Sequence, residues 1–131
     1  MGLTKERLAE FVGGDLEIRD YEGKALGGRA YVVRGPIESA TVDFNGLAVR
    51  LGWLARNDGC CARHIKDTWI ISGYPPECKA SLDTFTEQKD LADPGHIRLN
   101  SPIRGVVLIF HPPGDNLKPS QVAGHPGAPP T

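Results

Sequence analysis

Three observations predict a mostly β chain, folded as a small antiparallel β-barrel or sandwich of about seven strands with one N-terminal α-helix. Gly and Pro are plentiful, 16 and 11 of 131 residues, and they cut the sequence into short segments. Several segments alternate apolar and polar residues with the period of two that turns one face of a strand to a core. The third is Asn45-Gly46, which stands between two such runs and reads as the centre of a type I′ hairpin turn, a turn that needs positive φ at both central residues. A chain of this length buries one core without disulfides, so residues 1–111 are expected to form a single domain. Residues 112–131, rich in Pro and Gly and poor in large apolar groups, are expected to form a flexible tail.

Thr4 is placed to cap a helix from about Lys5 to Val12, with Leu8, Phe11 and Val12 on one face and Gly13-Gly14 ending it. Leu16 and Ile18 alternate with Glu17 and Arg19 as in a half-buried strand. The run Arg29 to Arg34 is the next strand, and Gly35-Pro36 is expected to break it before the hairpin begins. In the hairpin Ala40, Val42 and Phe44 share one face of the first arm. Leu47, Val49, Leu51 and Trp53 share a face of the second, with Gly52 marking a bend. Asn57 to Lys66 loses the apolar period and reads as a loop, and Thr68 to Ser72 resumes the sheet as a continuous apolar run, so either both its faces are covered or Trp69 sits at a margin. A weaker strand is expected between Ala80 and Thr86, then strands from His96 to Asn100 and from Ile103 to Phe110. The last of these carries an apolar face of Val106, Leu108 and Phe110, which either docks a partner or a second copy or lies under the helix.

Fifteen basic against sixteen acidic side chains leave a net charge of −1, which gives no whole-chain reason to expect a polyanion. The N-terminus is charged where a secretory signal needs an apolar run, and no stretch is long and apolar enough to span a membrane. The expected compartment is therefore the cytoplasm, with no membrane partner. Three cysteines, two of them adjacent, fit reduced thiols better than a disulfide framework.

Two constellations carry candidate chemistry. Cys60, Cys61, His64 and Cys78 offer the donor types of a tetrahedral zinc site, which makes zinc the one cofactor candidate. The spacing argues against it, because adjacent thiolates rarely both reach one ion, and free cysteines are the plainer reading. Arg34, Arg50, Arg56 and Arg98 lie in or beside strands, and small barrels that hold single-stranded nucleic acid pair such arginines with exposed aromatics; here Trp53, Trp69, Tyr31 and Tyr74 are the candidates. Cross-strand charge pairs account for the same arginines. His96 and His111 read as margin residues. No phosphate-binding loop, dinucleotide fingerprint or nucleophile elbow is present. In general look the chain resembles small bacterial β domains, which implies no activity. The expectation is a non-enzymatic binding or protein-interaction module whose partner is another protein or a second copy of itself, with a nucleic-acid-binding barrel and a small-ligand or zinc-binding barrel as alternatives.

Overall fold

A computed structural model describes residues 3–21, 31–56, 68–71, 76–88 and 95–114. It opens with helix α1 (Lys5–Ala9), shorter than expected, since residues 10–13 form turns. Thr4 caps the helix: its Oγ1 accepts the Arg7 backbone N–H at 3.2 Å. Leu8 is fully buried and Phe11 nearly so, whereas Val12 is exposed. Nine strands follow among the described residues: β1 (Asp15–Asp20), β2 (Tyr31–Asp43), β3 (Gly46–Leu51), β4 (Ala55–Arg56), β5 (Thr68–Ile71), β6 (Glu77–Ala80), β7 (Thr86–Gln88), β8 (Ile97–Ser101) and β9 (Val106–His111).

The strands form a mostly antiparallel sheet in the order β5-β6-β3-β2-β1-β9-β8-β7, with β4 beside β2. Because β5 and β7 stand at opposite ends and do not pair with each other, the sheet is open and the expected barrel does not close. Its inner face still encloses one core. Leu16 and Ile18 of β1, Val49 and Leu51 of β3, Ile70 of β5 and Leu108 and Phe110 of β9 belong to a single buried cluster. Burying a side chain of this size stabilises by about 1.5–3 kcal/mol, so this face dictates the register of every strand that contributes to it.

The long strand β2 joins the two parts of the sheet. Its first half pairs with β1, from Pro36 opposite Asp15 to Tyr31 opposite Asp20, and its second half pairs with β3, the register shifting between Ile37 and Ser39. Gly35-Pro36 therefore does not break the strand. Proline is tolerated beside such an irregularity, and Gly35 is required by its surroundings: a Cβ there would lie 2.1 Å from the Trp53 carbonyl oxygen. Pro36 keeps its own carbonyl in use, accepting the Gly52 N–H at 3.0 Å.

The hairpin also differs from expectation. Asp43 pairs with Gly46, so the two-residue loop is Phe44-Asn45 and Gly46 is the first residue of β3. Gly46 has φ +131°, and a Cβ there would meet the Ala80 carbonyl oxygen at 2.3 Å. The loop is held by Asp43 Oδ1, which accepts the Asn45 backbone N–H at 2.8 Å, and Phe44 projects from its tip, 96% exposed. Trp53 lies in the buried core beyond the bend at Gly52.

Three further expectations are corrected. Residues 81–85 form turns, and the strands lie on either side of them as β6 and β7. Ile103 is 85% exposed in the turn before β9 instead of beginning a strand. Val106, Leu108 and Phe110 are fully buried, and the Phe11 ring meets that of Phe110 edge-on at 6.0 Å, so this face belongs to the core and is not a partner surface. The helix packs against β2, and Arg7 reaches across to β7, donating from Nη1 and Nη2 to both carboxylate oxygens of Glu87 at 2.9 and 2.8 Å.

Candidate functional site

The outer face carries the candidate chemistry, and cross-strand register decides which residues meet there. Across β2, β1, β9 and β8 one row reads Arg34, Glu17, Ile109, Arg98. Two of the four candidate arginines thus share a row, with a carboxylate between them. Arg34 donates from Nε to Asp15 Oδ2 at 3.1 Å and brings Nη1 to 4.0 Å from Glu17 Oε1. Arg98 donates from Nε to Asn100 Oδ1 at 3.3 Å, and Asn100 in turn donates from Nδ2 to Gln88 Oε1. Arg50 is exposed on β3, in register with Ser39 and Glu77. Arg56 stands opposite Val33 in β4.

Glu17 is the centre of this face, and strand periodicity gives no hint of it. Its side chain is only 7% exposed although it points away from the apolar core. Burial pushes its carboxyl up, but hydrogen bonds from His111 and Arg19 outweigh that and hold it down at about 2. A carboxylate only accepts, so the proton of the 2.8 Å contact between His111 Nε2 and Glu17 Oε1 resides on the imidazole. Arg19 donates from Nε to the other oxygen. The edge of one imidazole faces the other where His96 packs on His111, centroids 4.6 Å apart and planes at 88°. His96, just before β8, and His111, the last residue of β9, thus stand at strand ends and pack against each other. A group ionised this firmly orients and neutralises its neighbours; near neutral pH it has no proton to give.

Of the candidate metal ligands, Cys60, Cys61 and His64 lie outside the described residues. Cys78 is fully buried on the inner face of β6, in register with Val49 and Ile70, and burial pushes its thiol up to about 12. Such a thiol packs as a small apolar group. Among the described residues no three His, Cys, Asp or Glu side chains are grouped to hold a metal ion.

A groove lies on the outer face of the other part of the sheet. Across β2, β3, β6 and β5 the register brings Thr41, Ala48, Lys79 and Trp69 into one row. Ala48 makes the middle of the row low, while Trp69, 54% exposed, makes its β5 side high. The resulting groove, about 500 Å³, is rimmed by Asp43 and Asn45 of the hairpin and by Ser81 after β6. A second depression of about 250 Å³, lined by Ser39, Arg50 and Glu77, shares Thr41 and Ala48 with the first. Of the aromatics considered for stacking, Trp69 lines the groove and Trp53 is buried. The Tyr31 side chain and Tyr74 lie outside the described residues. Of the two readings of the Trp69 strand, the exposed indole fits the margin one; the groove beside it depends on register between strands distant in sequence.

No helix among the described residues is long and apolar enough to cross a membrane. Comparison of the chain with family models, with curated proteins and with solved structures finds no match.

Proposed function

We propose that the protein is a non-enzymatic binding module and that the groove between Trp69 and the β2–β3 hairpin is its binding surface. The observation that carries this reading is the row Thr41, Ala48, Lys79, Trp69, in which Thr41 and Ala48 leave space on one side of Lys79 and a half-exposed indole stands on the other. A concave patch with one large aromatic wall and a few polar groups at its rim is the usual form of a ligand site. The inner face is filled by side chains, which favours this outer groove over a ligand held inside the sheet. Nucleic-acid binding through Arg34 and Arg98 is the weaker reading, because the Arg34 guanidinium already faces two carboxylates and Glu17 separates the pair.

The test is a binding screen of the full chain and of Trp69→Ala against oligosaccharides, peptides and single-stranded oligonucleotides. A ligand whose affinity falls about tenfold or more in the variant, as loss of an aromatic anchor does, is the expected result. Three results overturn the reading: no binding in any class, binding indifferent to Trp69, or chemical conversion of the bound ligand. Oligonucleotide binding that drops steeply between low and high salt and is lost in Arg34→Ala or Arg98→Ala favours the arginine reading instead.

A further inference from the structure

We infer that the groove beside Trp69 takes a neutral carbohydrate, an inference that rests on the groove being the binding surface. The polar groups around it are of both signs and both hydrogen-bonding senses. Lys79 donates, the Asp43 carboxylate accepts, and Thr41, Ser81 and Asn45 do both. An anion site gathers donors and a cation site gathers acceptors, whereas here one ammonium and one carboxylate cancel. A ring bearing several hydroxyls, each both donor and acceptor, is the ligand class that satisfies such a mixture without bringing a charge of its own.

The apolar part of the groove points the same way. Beside the buried Leu47 it is lined by the Trp69 indole, held outward on β5 in register with Lys79. A pyranose ring presents axial C–H groups on one face and hydroxyls around its edge, so an indole wall and a polar rim complement it together. The floor is low because Ala48 occupies a position where a longer side chain would fill the space. Asp43 is also fixed before any ligand arrives: its Oδ1 accepts the Asn45 backbone N–H at 2.8 Å, which sets the carboxylate's position at the groove rim. The groove volume of about 500 Å³ is in the range of sites for small organic ligands and accommodates one or two sugar rings.

The experiment is an array of neutral, sulfated and sialylated oligosaccharides probed with the full chain, followed by an NMR titration with the strongest neutral binder and, in parallel, with a library of short peptides. Binding of a neutral oligosaccharide with a Kd of about 1 mM or tighter is expected, shifting amides of residues 41–48 and 79–81. Trp69→Ala is expected to lose at least about tenfold in affinity while Trp69→Tyr, which keeps an aromatic face, loses much less; equal melting temperatures of the three chains show that the fold is intact. Binding confined to sulfated or sialylated glycans overturns the inference, as does a neutral glycan that binds equally to Trp69→Ala. Peptides that bind at Trp69 while no glycan does overturn the ligand class and keep the binding surface. Absence of all binding overturns both.

Discussion

A carboxylate that is buried and still ionised depends on its partners, and Glu17 has Arg19, Arg34 and His111 around it. Its carboxyl is held at about 2, below the 4.5 of an unperturbed glutamate. Because the folded value is the lower one, the contribution is fully present above about pH 5 and is lost as the pH falls through 4.5 towards 2. The size follows from the shift, about 3 kcal/mol. We expect Glu17→Gln to lower stability in urea at pH 7 by about that amount, since it removes the counter-charge beside Arg19 and Arg34. The difference between the two chains is expected to shrink as both are titrated from pH 5 to pH 2; a difference that stays constant over that range refutes the assignment. Nothing in the local sequence marks this residue. Alternation around Leu16 and Ile18 correctly turns those two inward, and Arg19 is a local partner, but Arg34 and His111 come from two other strands, one of them 94 residues away. By contrast the Thr4 cap and the burial of Leu8 and Phe11 were legible, because they depend on neighbours within a few residues.

At the scale of the element, β2 shows where local rules yield. Gly and Pro side by side read as a strand end, yet β2 runs through them. Gly35 sits where the Trp53 backbone crosses, with space for no side chain, so Gly35→Ala is expected to force that crossing apart and cost about 2–3 kcal/mol, seen as a lower melting temperature. A melting temperature equal to that of the parent chain means that the two backbones do not approach so closely in solution. The hairpin that follows was legible as a hairpin, and its bend at Gly52 with it. Its register was not: Asn45-Gly46 carries the turn signal, but Gly46 is drawn into β3 by pairing with Asp43 and by close contact with Ala80 of β6. A tertiary contact moved the turn by one residue, and with it Phe44 from the face of an arm to the exposed tip.

For the whole molecule, strand order sets stability. β1 is paired on both sides, by β2 and β9, and its inner residues are fully buried, whereas β5 and β7 end the sheet. Amide exchange is therefore expected to be slowest in β1, the first half of β2 and β9, and fastest among the strands in β5 and β7; equal protection across the order contradicts this arrangement. The fold class, the N-terminal helix and most strands among the described residues could be read from alternation and turn residues. Closure of the sheet could not, since it depends on whether its end strands meet. The groove was equally illegible, since Thr41, Ala48, Lys79 and Trp69 meet only through the pairing of four strands. Because β2 serves both parts of the sheet, the molecule has no seam. A recombination joint or designed split placed between residues 31 and 43 separates β1 from β3 and leaves neither piece with a complete neighbour. A fusion that leaves this strand whole and enters at the Phe44-Asn45 tip interrupts no pairing, so the chain admits an insertion there that it does not admit within β2.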